Sequence, residues 1–240
     1  MPQISYTTTA IKIMPFSVSH FEVAKKLEMT SLDFHVGNLL PDINHYTHLL
    51  TKEQTHYITF EPQRIYGNLD AFYERNIKHK YLDEASYYFA LGHMVHLITD
   101  LVWGETFYLP VFSRYKDEKE RTRRYFSTQW HLLNNLFAQW EETPGIKDEF
   151  LQLKKYSFQL STLSYPFQEI NTKKLRDLLE TLINIQFTIK HTFHFSDEEL
   201  YRYEKELKRY IADDYYEQFM EMVIEKINEE LDRYQLSLTI

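Results

Sequence analysis

The sequence predicts an all-α protein, a single domain of about eight or nine helices over residues 1–240, and three observations carry that reading. Only 5 of the 240 residues are glycine, so cheap turns through positive φ are scarce and long helices joined by short connections follow. Apolar residues recur at three- and four-residue spacing along most of the chain, which is the helical period. Pro144-Gly145 and Pro166 punctuate the second half without the Ser/Gly-rich composition of a flexible linker.

Taken in order, Ser17 to Met29 reads as a helix with Phe21, Ala24 and Leu27 on one face and Ser17 at the N-cap position. A short helix over Leu32 to Leu40 stops where Pro41 disfavours helical geometry, leaving Asp42 in a loop. Residues 43–65 are polar and His-rich, irregular apart from a short helix near His56. Gly67 to Lys80 reads as a helix. Asp83 to Tyr108 is the strongest element, with acidic residues at its start and Pro110 just beyond its end. Further helices are expected over Asp117 to Glu142, Lys147 to Leu163, Thr172 to His191, Ser196 to Tyr210 and Asp214 to Tyr234. The last carries Phe219, Val223, Ile227 and Leu231 four residues apart, a continuous apolar stripe. A first region of about 16–110 is followed by a C-terminal helical region of about 117–236.

Composition excludes several function classes. A net charge of −8 and a pI near 5.8 argue against general affinity for nucleic acid or anionic membranes. There is no cysteine, so any metal must be held by His, Asp and Glu. Met1 to Met14 lacks a basic region followed by an apolar stretch, and no window approaches 18 apolar residues. No secretory signal and no transmembrane segment are therefore expected, and the cytoplasm is the expected compartment.

The chemistry-bearing residues concentrate on the strongest helix. His96 and Asp100 are four apart and stack on one face, where an amphipathic helix would place Leu and Val. Burying them unpaired is costly, so they need partners. A core His–Asp hydrogen bond would serve, and so would a shared metal. Asp42 lies just past a helix end, His56 follows it by 14 residues, and His20 sits on the first helix. These five supply three imidazoles and two carboxylates, a ligand set suited to a cysteine-free catalytic zinc site.

The strings Gly37-Asn38-Leu39-Leu40-Pro41-Asp42-Ile43 and Val95-His96-Leu97-Ile98-Thr99-Asp100 resemble two hallmark segments of the bacterial zinc-dependent phospholipase C family. The order His20, Asp42, His56, His96, Asp100 also matches that family's ligand order, and the resemblance runs from about Phe16 to Pro110. It implies an all-helical fold and one or two zinc ions, or another divalent metal. Asp42, His56, His96 and Asp100 would surround one ion, and Asp100 would bridge to a second held by His20. It also implies phosphodiester cleavage by metal-activated water, with Asp42 and Asp100 in the catalytic centre and a phosphoester or phospholipid-like small molecule as substrate.

Secreted members of that family use their mature amino terminus as a ligand, whereas here 19 residues precede His20. A replacement ligand would come from elsewhere, such as His45, His48 or His93. The family's third ion is held by a later His and carboxylate one turn apart. The local analogue, His131 with Asn135, offers a neutral amide instead. His35 reads as a structural group, His45, His48 and His79 as surface residues, and His191 and His194 as surface or cap residues. Glu105 and Tyr108 read as exposed or packing residues.

There is no Gly-rich phosphate loop, no Gly-x-Ser-x-Gly elbow, no His-Glu-x-x-His helix and no His-Asp dipeptide. The expected function is a divalent-metal-dependent phosphoester hydrolase, phospholipase C-like. Two alternatives stand beside it: a degenerate member serving as a helical binding protein, and a soluble zinc nuclease or phosphatase.

Overall fold

A computed structural model describes residues 17–46, 49–61, 64–188, 195–208 and 214–238, with the side chains of 44–46, 58–61 and 64–67 left aside. The chain is built of helices, as the sparse glycines and the apolar spacing require. Helix α1 covers Ser17–Lys26, α2 Leu32–Leu39, α3 Lys52–His56, α4 Leu69–Asn76 and α5 Glu84–Trp103. After a short helix α6, Leu109–Phe112, come α7 Glu118–Glu142, α8 Ile146–Gln152, α9 Thr172–Gln186, α10 Asp197–Leu207 and α11 Tyr215–Tyr234.

Side-chain caps set most of the helix starts. Ser31, Asn68, Asp83 and Asp117 each accept from a backbone N–H three residues on, and Thr51–Gln54 and Ser196–Glu199 form reciprocal capping boxes. The central helix α5 is buried without a break from Phe89 to Asp100. Helix α2 crosses it at Gly37 and Gly92, where the two backbones touch. A Cβ on Gly92 would lie 2.1 Å from the Phe34 carbonyl oxygen, and one on Gly37 would lie 2.1 Å from that of Phe89. Helix α11 packs against α5 through the expected stripe: Phe219, Val223 and Ile227 are 0% exposed and Leu231 4%. Each such side chain contributes about 1.5–3 kcal/mol by leaving water.

Three sequence expectations are corrected. The α-helix α2 does end before Pro41, at Leu39, but no loop follows. Leu40–Tyr46 continues α2 as a 3₁₀ helix, because proline near the start of a new turn has no N–H to leave unpaired. Asp42 is therefore carried on a 3₁₀ turn and not in a loop. The helix expected over Lys147 to Leu163 ends at Gln152, with 3₁₀ turns at Leu153–Lys155 and Leu160–Thr162. There Tyr156 is extended and its hydroxyl is fastened to Asp33 (2.5 Å), while Thr162 bonds back to the Gln159 carbonyl (2.8 Å). The sequence reads residues 43–65 as irregular and Gly67 as a helix start, whereas Ile58–Glu61 pairs antiparallel with Arg64–Gly67, from Ile58↔Gly67 to Glu61↔Arg64, and α4 begins at Leu69. The strong helix does run from Glu84 to Trp103, but it passes through a π-helical turn at Gly104–Tyr108 before α6.

Candidate metal centre

Three elements converge on α5. Helix α1 brings His20, the 3₁₀ turn brings Asp42, α3 brings His56, and α5 itself brings His96 and Asp100. His20, His56 and His96 are 0% exposed, Asp100 2% and Asp42 4%. All five residues expected from the sequence meet in one buried cluster.

The hydrogen bonds on the outer side of each ring decide what faces inward. His96 Nδ1 lies 2.8 Å from the Asn38 carbonyl oxygen. A carbonyl only accepts, so Nδ1 carries the proton and Nε2 presents its lone pair to the cluster. His56 Nδ1 lies 2.6 Å from the Thr55 hydroxyl, which donates to the Thr51 carbonyl at 3.4 Å. A hydroxyl both donates and accepts: where it accepts from Nδ1 the His56 Nε2 lone pair faces inward, and where it donates to Nδ1 the Nε2 proton points at the His96 lone pair. The two Nε2 atoms stand 3.1 Å apart. Lone pairs that close repel unless a proton or a cation lies between them.

The surrounding distances suit a cation. His56 Nε2 is 3.7 Å from Asp42 Oδ1 and 3.5 Å from Asp100 Oδ2, and His96 Nε2 is 3.9 and 3.4 Å from the same atoms. These are long for charge-assisted hydrogen bonds, which run about 2.7–2.9 Å. Ligand atoms each about 2.0–2.1 Å from one tetrahedral ion lie roughly 3.3 Å apart and never beyond about 4.2 Å. The group can hold a metal ion.

Asp100 presents its oxygens to two sides. Oδ2 faces His56 and His96, while Oδ1 lies 3.4 Å from His20 Nε2. Neither oxygen of Asp100 and neither ring nitrogen of His20 has a formed hydrogen bond, although all four atoms are buried. Such atoms cost free energy unless something else satisfies them. The His20 ring stacks on His96, centroids 3.9 Å apart, and Asn38 Nδ2 donates to the His20 carbonyl at 2.7 Å.

Charge follows the same pattern. Burial, reinforced by the neighbouring Asp100, pushes the Asp42 carboxyl up to about 7, against the opposing pull of His96, Lys52 and the Ser17 hydroxyl. Ser17 Oγ, expected as an N-cap, donates to Asp42 Oδ2 at 3.3 Å. For Asp100 burial also acts upward, but His96 and His20 outweigh it and hold the carboxyl below the usual carboxylate range.

The remaining histidines separate cleanly. His35 Nε2 donates to the Met29 carbonyl at 2.9 Å and its ring packs on Phe21, a structural role. His79 is exposed at a helix end, Glu105 is exposed, and Tyr108 is packed in the core. His131 faces Glu204 of α10 at 3.8 Å, and with Asn135 it lines a cleft of about 100 Å³ between α7, α10 and α11. None of the five clustered residues lines that cleft. His48, His191 and His194, the side chain of His45, and the segment Met1 to Met14 lie outside the described residues.

His93 is not a ligand. Burial pushes its imidazole down to about 3 from an ordinary 6.5, so the ring is neutral at physiological pH. The unfolded chain takes up this proton below about pH 6.5 and the folded chain does not until about pH 3. The stability that His93 contributes is therefore full above pH 6.5 and declines as pH falls from there toward 3. Between pH 7 and 5 the urea midpoint of wild type should fall further than that of His93→Gln. Parallel declines would mean that His93 titrates normally in the fold.

Asn38, Thr55 and Ser164 were not singled out as site residues by sequence reasoning, and Ser17 was read only as an N-cap. Asn38 had a signal, as the only polar residue in the run Val36 to Leu40. Thr55 and Ser164 had none, since their roles depend on contacts far along the chain. No family model, curated protein or solved structure matches the chain.

Proposed function

We propose that the protein is a divalent-metal-dependent phosphoester hydrolase, resembling the zinc-dependent phospholipase C family, with zinc as the favoured ion. The observation that supports this best is the inward pairing of His56 Nε2 and His96 Nε2 at 3.1 Å, flanked by Asp42 Oδ1 and Asp100 Oδ2 within 3.9 Å. On this reading Asp42, His56, His96 and Asp100 would hold one ion, and His20 with Asp100 would hold a second. A divalent ion so held polarises a phosphoryl oxygen and lowers the pKa of water to near 7. The chain's own residues orient that chemistry. Asn38 fixes the His96 tautomer, Thr55 holds the His56 ring, and Ser17 steers Asp42.

The test is metal analysis of protein purified without added metal, followed by turnover of a chromogenic phosphodiester before and after chelation. At least one divalent ion per chain is expected, with activity lost to the chelator and restored by zinc. A stable protein that neither retains nor takes up divalent metal would end this reading.

The burial of all five side chains favours a second reading. The ligand set is at most 4% exposed, a placement also suited to an ion that only braces the helices of a binding protein. In that case removing the ion lowers the melting temperature, while no phosphodiester or phosphomonoester is turned over in any metal state.

A further inference from the structure

We infer that His93 is a positioning residue for the metal centre, holding His56 in its ligating orientation through Thr55, with Ser164 setting His93 in turn. The inference rests on the metal-centre reading above. Helix α3 is only five residues long, and it ends at Tyr57 in a left-handed conformation (φ 53°). One helical turn has little rigidity of its own, and the carbonyls of its last turn lack intrahelical partners. The Thr55 carbonyl oxygen finds its partner across the fold, 2.7 Å from His93 Nε2.

That contact sets the His93 tautomer. Because the carbonyl only accepts, His93 Nε2 carries the proton, and Nδ1 accepts from the Ser164 hydroxyl at 2.9 Å. The Thr55 hydroxyl, on the same residue, lies 2.6 Å from His56 Nδ1. Ser164, His93, Thr55 and His56 thus form one connected series, in which the grip on the Thr55 backbone places the hydroxyl that meets His56. Thr55 and His93 are 0% exposed and Ser164 7%, so water does not substitute for a missing link. Phe72 meets the His93 ring edge-on, centroids 4.6 Å apart, and Phe167 lies at 5.4 Å on another side, so the ring is clamped.

The consequence is geometric. His96 is rigid because it belongs to α5, whereas His56 rides on a single turn. His93 also belongs to α5 and grips that turn, so it sets the distance between the two imidazoles that would share an ion. Ser164 extends the grip to the segment between α8 and α9.

The test measures cobalt(II) affinity by chelator competition, alongside the melting temperature of each metal-free variant. His93→Leu and Thr55→Val should each weaken cobalt binding roughly 10–100-fold, the usual loss when the partner behind a ligand is removed. The double variant should be no weaker than the worse single one, since both cut the same series. His93→Gln, which keeps a donor for the Thr55 carbonyl, and Thr55→Ser, which keeps the hydroxyl, should recover affinity to within about threefold of wild type. If His93→Leu does not fold, Thr55→Val and Ser164→Ala decide, each expected to lose affinity. Lower melting temperatures with unchanged cobalt affinity would make His93 a packing residue and overturn the inference. Absence of cobalt binding by wild type would instead overturn the metal-centre reading itself, and this inference with it.

Discussion

Replacing Asp100 with Asn is expected to lower metal content by at least one ion per chain and to abolish phosphodiester hydrolysis. Asp100 lies one turn from His96, and its two oxygens face different partners, Oδ2 toward His56 and His96 and Oδ1 toward His20. Asn keeps the size and removes the charge. Two cations near one neutral amide repel each other without the carboxylate between them, and an amide is a poor zinc ligand. The measurement is metal stoichiometry and melting temperature on the same preparations, with hydrolysis alongside. If Asp100 only braced His20 and His96 by hydrogen bonding, the change would cost about 1–3 kcal/mol of stability and leave stoichiometry untouched. That outcome would remove the centre of the proposed site.

The second large effect is expected at a residue with no side chain. Gly92→Ala should destabilise the fold by about 3 kcal/mol or more, the range of severe overpacking. At an open helix position the same change would stabilise by up to about 1 kcal/mol, because alanine is the better helix former. Here the new Cβ would lie 2.1 Å from the Phe34 carbonyl oxygen and 3.0 Å from the Asn38 backbone nitrogen, and backbone cannot rotate aside. Helix α2 must move away from α5 as a body. Since the Asn38 carbonyl fixes His96 through Nδ1 at 2.8 Å, that movement should also loosen the imidazole and weaken metal binding. A melting temperature within about 2 °C of wild type would contradict the crossing, because 3 kcal/mol in a chain of this size corresponds to roughly 6–12 °C.

Both expectations depend on features that the sequence shows unequally. The helices were legible because their signals are local. Asp83 followed by a long apolar pattern marks the start of α5, and Phe219, Val223, Ile227 and Leu231 mark the buried face of α11 whatever they pack against. The His96–Asp100 pair was legible for the same reason, since four-residue spacing on a helix fixes which side chains are neighbours. Elements whose conformation is settled by distant contacts were misread. Lys147 to Leu163 has helical spacing, yet Tyr156 is drawn out of the helix toward Asp33, more than a hundred residues away in sequence. Pro41 reads as a stop with a loop after it, yet the chain turns through it as a 3₁₀ helix that carries Asp42 inward.

What the sequence by itself determined is the set of helices and the five residues able to ligate a metal, because residue type and spacing are properties of a single strand of chain. Only the tertiary structure decided that those five meet, that His56 and His96 turn their Nε2 atoms toward each other, and that Gly37 and Gly92 are a crossing point. Each of those outcomes is a relation between segments tens of residues apart. It is set by which carbonyl lies behind a ring nitrogen and how closely two backbones approach, and neither quantity has a local signature.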